Sequence, residues 1–363
     1  MRRALTVLVS NVDGWLLAAI ASLLGIGLFV LYSASGESLP RVYAQVLNIA
    51  VALAVMWFAA KVPPNHIMRV ALPAYLVGLT LLICVALFGE VINGARRWLH
   101  VGVTRIQPSE LMKIAVPLML AWYFHLFEGR LGLRHFAVAG LILLVPIGLI
   151  ARQPDLGTAI LISASGFYVI FLAGLSWRVL LILGGGAIAA APVLWSMMHG
   201  YQRQRILTLF DPAQDPLGAG YHTIQSTIAL GAGGLAGKGW LNGTQSHLDF
   251  LPERTTDFIF AVYSEEFGLI GNTILVVLFL ALITRGLLIT VNAPTTFSRL
   301  LAGAITLGFF TYAFVNMGMV SGILPVVGVP LPLISYGGTS LVTICLGFGI
   351  LMSIQTHRKL VQT

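Results

Sequence analysis

The sequence has few charged residues, and acids are the scarcer sign. Only 9% of its 363 residues are charged, with 13 acids against 21 lysines and arginines, whereas an ordinary soluble domain carries about 25%. So few charges could not solvate the surface of a soluble fold of this size. This excludes a soluble globular enzyme and a disordered chain. The basic residues are scattered between apolar runs, so the net charge of +8 does not form the dense basic face that nucleic acid requires.

Cysteine and clustered metal ligands are also scarce. The two cysteines, Cys84 and Cys345, each lie inside an apolar run, where a small core or lipid-facing residue is the ordinary interpretation. The sequence contains no CxxC, HExxH or cluster of histidine and cysteine. A zinc site therefore cannot be argued from spacing.

What the sequence does contain is long apolar runs. Hydrophobic residues make up 58% and the mean hydropathy is +0.91, and a helix needs about 20 apolar residues to cross a bilayer. We therefore predict an all-α polytopic membrane protein, a single transmembrane domain over 1–363 with about ten spans. The predicted spans are 14–33, 42–60, 69–89, 109–127, 135–151, 157–174, 177–198, 257–284, 299–320 and 339–356.

Ten spans place both termini on one side of the membrane. Basic residues number eleven on that side and ten on the other, which leaves the positive-inside rule undecided. The loops on the terminus side are nearly free of acids, so we expect cytoplasmic termini, and the mixed charge opposite indicates a site. The opposite side also carries one long loop, about 199–256, in which 221–230 has helical periodicity. A further break at 321–338 has three prolines and four glycines, which cannot continue a helix.

Two motifs on that side carry basic residues. The stretch 231–239, GAGGLAGKG, follows no strand and fails the P-loop pattern. It is either a flexible interfacial turn or a loop that presents backbone N–H groups and Lys238 to a phosphate. Arg96 and Arg97 precede Trp98, and such a group either anchors the chain at the membrane interface or binds a phosphorylated lipid head.

Acidic residues occur in three further motifs. Glu110 and Lys113 are spaced i, i+3 at the start of a span. Charged side chains in a membrane span cost free energy, so the two residues either pair with each other or take part in a functional site. Asp155, in RQPDLGT, either caps the next helix or belongs to a site. Thr256 is a plausible N-cap that would place Asp257 in the first turn of the eighth span, where the helix dipole favours an ionised carboxylate. That carboxylate could accept a proton from a hydroxyl or bind a cation.

Glu265 and Glu266 follow in the same span, about 12–14 Å deeper than Asp257 at 1.5 Å per residue. Neither can form a close carboxylate pair with Asp257, because of this depth and the rotation between them. We interpret them as buried structural groups, with a proton or ion relay as the alternative.

These motifs resemble those of the SEDS family (shape, elongation, division and sporulation proteins), and its elongation members most closely. The similar stretches are GARRWL at 94–99, QPSELMK at 107–113, RQPDLGTA at 152–159, LPERTTDFIFAVYSEEFGLIG at 251–271 and GILPVVGVPLPLISYGGTS at 322–340.

The resemblance implies a fold similar to the GT-C membrane glycosyltransferases. It implies a multi-pass peptidoglycan glycosyltransferase of the bacterial cytoplasmic membrane, with an extracytoplasmic active site. Such proteins polymerise lipid II and work with a class B penicillin-binding protein that crosslinks the strands. By the same resemblance Asp257 is the essential acid, and Glu110, Lys113 and Asp155 occupy further positions of the family motifs.

The chemistry of that reaction can be reasoned separately. The donor is an α-linked diphosphate and the product linkage is β-1,4, so one in-line displacement with inversion suffices. It needs a base, for which we propose Asp257, and cations for the departing diphosphate. The candidate cations are Lys113, Arg96, Arg97, Arg203, Arg205 and Lys238. A divalent cation, Mg²⁺ or Mn²⁺, could share that task.

A lipid II flippase or other polytopic transporter is the alternative, because broken segments and intramembrane acids suit that class as well. A polymerase needs charged groups gathered at one membrane face, whereas a flippase needs a polar path through the midplane. Only Glu265 and Glu266 lie deep, with no evident basic partner in the midplane of another span. The sequence therefore favours the enzyme.

Overall fold

The computed structural model describes residues 13–92, 95–101, 104–198, 200–212, 218–244 and 253–357. Each of the ten predicted spans corresponds to a helix in this part of the chain, within three residues at either end, except that the eighth continues to Val291, seven residues past its predicted end. The elements in chain order are α1 Gly14–Ala34, α2 Leu39–Lys61, α3 Pro64–Arg69, α4 Ala71–Phe88, β1 Glu90–Ile92, β2 Ala95–Val101, β3 Thr104–Ile106, α5 Pro108–Leu126, α6 Leu133–Ala151, α7 Leu156–Leu172, α8 Trp177–Met197, α9 Gly200–Phe210, α10 Ala219–Ala232, α11 Ile259–Val291, α12 Thr296–Val320 and α13 Thr339–Thr356.

The helices have the length and composition of a multi-pass membrane protein. In the part of the chain that the structure describes, seven helices are long and apolar enough to cross a bilayer: α1, α2, α4, α6, α11, α12 and α13. Helices α7 and α8 provide shorter apolar stretches. Helix α5 carries Glu110 and Lys113 and is mostly buried inside the bundle, because a helix with charged residues is sheltered from lipid by its neighbours.

Local sequence explains where several helices begin. Asp13 caps α1 by accepting hydrogen bonds from the backbone N–H groups of Trp15 and Leu16. Thr295 caps α12 in the same way, and Pro108 occupies the first turn of α5, where its missing N–H costs nothing.

The fold is helical as predicted, with the addition of a small antiparallel sheet between α4 and α5. Its order is β1-β2-β3, with Val91 opposite Arg96 and Leu99 opposite Ile106. The signal was present in the sequence: Asn93-Gly94 between two runs of β-forming residues is typical of a hairpin turn.

The long loop between α8 and the next span also contains regular structure. Two helices, α9 and α10, occupy much of it, and α10 includes the periodic stretch 221–230. Helix α10 packs against α11. The helical periodicity of 221–230 is therefore confirmed, whereas α9 was not predicted.

The eighth span begins later than predicted. Residues from Glu253 to Phe258 form turns and α11 starts at Ile259, so Asp257 precedes the helix rather than sitting in its first turn. The helix is interrupted at Gly268, whose φ of 61° and ψ of −158° are not helical. Only glycine adopts such a conformation readily.

The core of the bundle is built around α12. This helix packs against α5, α7 and α11, while α2 packs closely on α13. The segment between α12 and α13 is not helical and folds back into the bundle, where Val329, Leu331 and Ile334 are buried. The turn before α11, the sheet and this segment all lie at the membrane face where α1 ends and α13 begins.

Candidate active site

Asp257 lies at this face, partly buried in the turn before α11. Its Oδ2 approaches Gly328, where an added Cβ would lie 3.4 Å from that oxygen. Gly328 has a φ of +71°, in the left-handed region that favours glycine. The carboxylate is therefore enclosed on one side by the backbone of the segment between α12 and α13.

Three charged side chains act on Asp257. Burial raises the pKa of the Asp257 carboxyl to about 6, and the Glu253 carboxylate acts in the same direction. The guanidinium groups of Arg205 and Arg97 oppose this rise, because they attract the ionised form. The structure thus brings together an acid and two of the predicted cations, which the sequence places in three separate segments.

Arg97 links Asp257 to a second acid. Its Nη2 donates a hydrogen bond to the carbonyl of Pro154 at 2.5 Å, and its Nε lies 3.9 Å from Oδ2 of Asp155. Asp155 is buried, caps α7 by accepting from the Thr158 N–H, and accepts from Gln107 at 3.2 Å. The cap, one of the two alternatives, is confirmed; the site contribution stays a prediction, and the contact with Arg97 is consistent with it.

Glu110 and Lys113 form a buried ion pair. The ammonium lies 2.6 Å from Oε1 of Glu110, and both residues are only 9% exposed. The other carboxylate oxygen, Oε2, is buried without a hydrogen bond partner, and the ammonium stacks on the Tyr312 ring, 4.9 Å from its centroid. Lys113 and Tyr312 line an internal cavity of about 60 Å³ that is otherwise mostly apolar.

Two other predicted cations have protein partners instead. Arg203 donates to the carbonyls of Trp195 and Ser196 at the end of α8. Lys238 lies 2.7 Å from Oε1 of Glu265. For Arg96, the backbone belongs to β2 and the side chain lies outside the described part of the structure.

The loop at 231–239 is bonded to α11 rather than projecting over the site. The backbone N–H groups of Lys238 and Gly239 donate to the carbonyls of Glu265 and Glu266, and that of Leu269 donates to the Gly234 carbonyl. The break at Gly268 leaves the neighbouring backbone groups of α11 without helical hydrogen-bond partners, and the loop supplies partners for them. The expectation that this loop presents its N–H groups to a phosphate is not supported by the packing.

The deep acids have local partners, as the structural interpretation predicted. Glu265 and Glu266 are both buried. Glu265 is bound by Lys238 and Thr244, and Glu266 accepts a hydrogen bond from the Ser33 hydroxyl of α1. Both acids thus tie α11 to neighbouring segments.

Sequence reasoning missed several residues around Asp257. Gln107 reaches Asp155, and Tyr312 borders the buried ion pair. Asn316 donates to the backbone carbonyl of Asp257 at 2.8 Å. The signal for Asn316 was an amide within a charge-free apolar span, where a polar side chain needs a partner. The described residues contain no group of three or more His, Cys, Asp or Glu arranged to hold a metal ion.

The fold and the site define a polytopic membrane protein with a carboxylate and two arginines gathered at one membrane face. Comparison places the chain in a family. The FtsW, RodA and SpoVE family, described as "Cell cycle protein", matches residues 14–360. The chain belongs to this family, the SEDS family.

Curated relatives cover nearly the whole chain. Peptidoglycan glycosyltransferase MrdB of Escherichia coli K12 is 50% identical, over 96% of this chain and 95% of that protein. Peptidoglycan glycosyltransferase RodA of Treponema pallidum is 33% identical, over 96% and 99%.

Solved structures share the fold. A chain from "Structural coordination of polymerization and crosslinking by a peptidoglycan synthase complex" is 31% identical with a TM-score of 0.83, covering 97% of this chain and 99% of that one. The rod shape determining protein RodA of Thermus thermophilus is 28% identical with a TM-score of 0.71, covering 97% and 98%. These similarities confirm the resemblance that the motifs indicated.

Proposed function

We propose that the chain is a peptidoglycan glycosyltransferase that polymerises lipid II into β-1,4 glycan strands for cell-wall elongation and rod shape. The observation that carries this proposal is Asp257, a partly buried carboxylate on which two arginines act electrostatically, at one membrane face. The names of the curated relatives supply the reaction class. A polyprenyl-linked sugar fits this location, because the sugar can reach the charged face while the lipid stays among the helices.

Asp257 is the proposed general base. It accepts the proton of the acceptor 4-hydroxyl as that oxygen attacks the anomeric carbon of the donor sugar. The bond from that carbon to the diphosphate oxygen breaks, its electron pair leaves with the diphosphate, and the anomeric configuration inverts. A pKa of about 6 leaves Asp257 mostly ionised at neutral pH and more basic than an ordinary aspartate, which favours proton transfer.

Arg97 and Arg205 are the proposed cations for the departing diphosphate. Both act electrostatically on Asp257, so a diphosphate bound by either guanidinium would lie near the base. A guanidinium binds phosphate oxygens in a bidentate manner, and its charge opposes the negative charge that develops on the leaving group. Arg203 and Lys238 are left out of this set because neither is among the charges that act on Asp257.

Glu110, Lys113 and Asp155 are proposed to shape the substrate site. Lys113 has donors beyond the one bound to Glu110, and Asp155 holds Arg97. These roles follow from the matching family motifs and from the contacts of each residue, and no relative's name assigns them.

A divalent cation would need ligands from the substrate. Asp257 and Glu253 are close enough to interact, but two carboxylates are fewer than the six or more oxygen ligands that Mg²⁺ or Ca²⁺ takes. A Mg²⁺ or Mn²⁺ ion would therefore be completed by diphosphate oxygens and water, and would add positive charge for the leaving group. The roles of Asp257, Arg97 and Arg205 do not depend on it.

The proposed setting is the bacterial cytoplasmic membrane, with cytoplasmic termini and an extracytoplasmic active site. A class B penicillin-binding protein is the proposed partner, because a solved relative comes from a complex of polymerization and crosslinking. The alternative of a lipid II flippase gains no support from Glu265 and Glu266, since each is bound to a neighbouring segment rather than lining a polar path.

The test is polymerisation of lipid II by purified protein, with the polymerase activity of any penicillin-binding protein excluded. Asp257→Asn keeps the shape of the side chain and removes the base, which typically costs 10²–10⁴-fold in rate. Glu37→Gln is the matched control, since Glu37 is an exposed acid in the turn after α1 at the same face. Near-wild-type polymer from a folded Asp257→Asn protein would remove Asp257 from the mechanism.

A further inference from the structure

Three consecutive backbone carbonyls next to the proposed base are held from outside their own segment. The carbonyl of Thr255 accepts from the Tyr336 N–H at 2.9 Å. The carbonyl of Thr256 accepts from the Ser335 hydroxyl at 2.7 Å. The carbonyl of Asp257 accepts from the Asn316 side-chain amide at 2.8 Å. The donors come from α12 and from the segment between α12 and α13, far away in sequence.

These carbonyls are available because the chain is not yet helical. In a regular helix the N–H of Ala261 would bond to the Asp257 carbonyl four residues back. It bonds to the carbonyl of Phe258 instead, at 3.0 Å. A buried carbonyl needs a donor, and Asn316 supplies it.

Asn316 joins two sides of the site. It is completely buried, and its amide also donates to the carbonyl of Val329 at 2.6 Å. An asparagine amide has two N–H donors, and both are used on these two carbonyls, which also fixes which way the side chain faces. Val329 follows Gly328, the residue that approaches the Asp257 carboxylate. Asn316 therefore sets the spacing between the backbone of Asp257 and the backbone that encloses its side chain.

Ser335 holds the neighbouring carbonyl in a similarly fixed frame. Its hydroxyl accepts from the Leu331 N–H at 2.7 Å while it donates to Thr256. Its own carbonyl accepts from the Gln45 amide of α2, and Gln45 also accepts from the Gly337 N–H. Two buried side chains, Asn316 and Ser335, thus hold the turn directly, and Gln45 of α2 holds the segment that carries Ser335.

We propose that Asn316 and Ser335 are positioning residues that fix the direction of the Asp257 carboxylate through its backbone. Neither side chain touches that carboxylate. This inference rests on the proposed function, since it assumes that Asp257 takes the proton. A general base must lie within hydrogen-bonding reach of the hydroxyl it deprotonates, and a misplacement of about 1 Å can cost about 10²-fold in rate.

The arrangement also has an electrostatic consequence. The carboxylate of Asp257 is faced by Glu253 of its own turn, by Arg205 of α9 and by Arg97 of β2. Burial is the main cause of its raised pKa. A turn that is no longer held would admit water, so the pKa of the base would fall towards the ordinary aspartate value.

The experiment uses the full-length protein in detergent with lipid II as substrate. The variants are Asn316→Ala, Ser335→Ala and the double variant. The matched control is Thr306→Val, because Thr306 is another buried polar residue of α12 whose hydroxyl donates only within the helix. The measurements are kcat and KM, the pH dependence of kcat, and hydrogen exchange at the amides of 253–258.

We expect Asn316→Ala to lower kcat by about 10²-fold with little change in KM, and to move the acidic limb of the pH profile to lower pH. Ser335→Ala should act in the same direction, and the double variant should be non-additive because both residues hold one turn. Exchange at 253–258 should rise in each variant and stay at the wild-type level in Thr306→Val.

Other outcomes would overturn the proposal. It fails if the variants keep wild-type kcat per folded molecule with an unmoved pH profile, or if exchange at 253–258 does not change. If Asn316→Ala does not fold, Ser335→Ala decides by the same criteria, since it removes a single hydroxyl. A wild-type protein that makes no polymer would refute the proposed function instead, and the exchange measurement would still report whether the two residues hold the turn.

Discussion

The carboxylate of Glu265, buried on α11, lies 2.7 Å from the ammonium of Lys238, which belongs to the loop between α10 and α11. The Glu265 side chain is fully buried, whereas that of Lys238 remains partly exposed. Thr244 donates to the same carboxylate through its N–H and its hydroxyl. The loop is therefore fastened to the helix by charge as well as by backbone bonds.

Lys238→Met should destabilise the protein without weakening substrate binding. Removing the ammonium leaves a buried carboxylate with only the Thr244 donors, and a loss of about 1–3 kcal/mol in the free energy of unfolding is expected. Thermal unfolding in detergent measures the loss. The affinity for a lipid II analogue, and its dependence on salt, should match wild type, because Lys238 is not among the cations at Asp257.

The double variant, in which Glu265→Gln is added to Lys238→Met, provides the control. In the Lys238→Met background it removes the unmatched charge, so part of the lost stability should return. A Lys238→Met protein of normal stability whose ligand affinity drops in a salt-sensitive way would contradict this assignment and restore Lys238 to the substrate site.

The contact between Lys238 and Glu265, which the sequence did not predict, shows what a sequence can and cannot supply. Helix positions follow from apolar runs, because each span must satisfy its own backbone within the bilayer, and all ten were found. The partner of a single charge depends on how distant segments pack. Glu265 and Lys238 are 27 residues apart in the sequence, and periodicity does not predict that approach.

The same limit applies around Asp257. Its motif marks it as a candidate acid, and Arg97 and Arg205 were in the predicted pool of cations. Which of six cations lie beside Asp257 depends on the sheet after α4 and on α9, neither of which was predicted. Asn316 was missed because an amide in an apolar span carries no motif, and its role appears only with the backbone carbonyls it binds.

The pH dependence of polymerisation should show one acidic limb that reports Asp257. Because the base works when ionised and its pKa is about 6, kcat should rise with pH through about 6 and level off above it. Glu253→Gln removes a like charge and should move this limb to lower pH. Arg97→Gln removes an attracting charge and should move it to higher pH, with a loss of rate from the weaker diphosphate site.

Rates measured across the pH range on the three proteins check this prediction, after folding is confirmed at each pH. The opposite directions of the two shifts are the decisive feature, since general destabilisation would affect both variants alike. Shifts in the same direction would mean that another group controls the limb.

Variants of the buried pair of Glu110 and Lys113 should distinguish a role in stability from a role in catalysis. Lys113→Met leaves the Glu110 carboxylate buried and unmatched, and breaking such a pair costs about 3–5 kcal/mol. Adding Glu110→Gln should recover much of the free energy of unfolding, because the remaining charge is removed. Thermal unfolding of the wild type, both single variants and the double variant gives the coupling between the two residues.

Activity of the stabilised double variant then tests the substrate role. If Lys113 contributes positive charge to the site, polymerisation should remain low although stability has returned. A double variant that is both stable and fully active would show that the pair serves only the fold.

Gly233 should be intolerant of a side chain, whereas Gly231, two residues earlier, should accept one. A Cβ at Gly233 would lie 2.0 Å from the backbone carbonyl oxygen of Ser264, while a Cβ at Gly231 meets nothing within 4 Å. A backbone atom of α11 cannot move aside as a side chain can, so Gly233→Ala must push α10 and α11 apart. We expect a loss of about 1–3 kcal/mol or more, against no loss for Gly231→Ala, whose helical position favours alanine by about 0.5–1 kcal/mol. Thermal unfolding of the two variants side by side measures the difference, and equal stability would mean that the loop does not pack against α11 at Ser264.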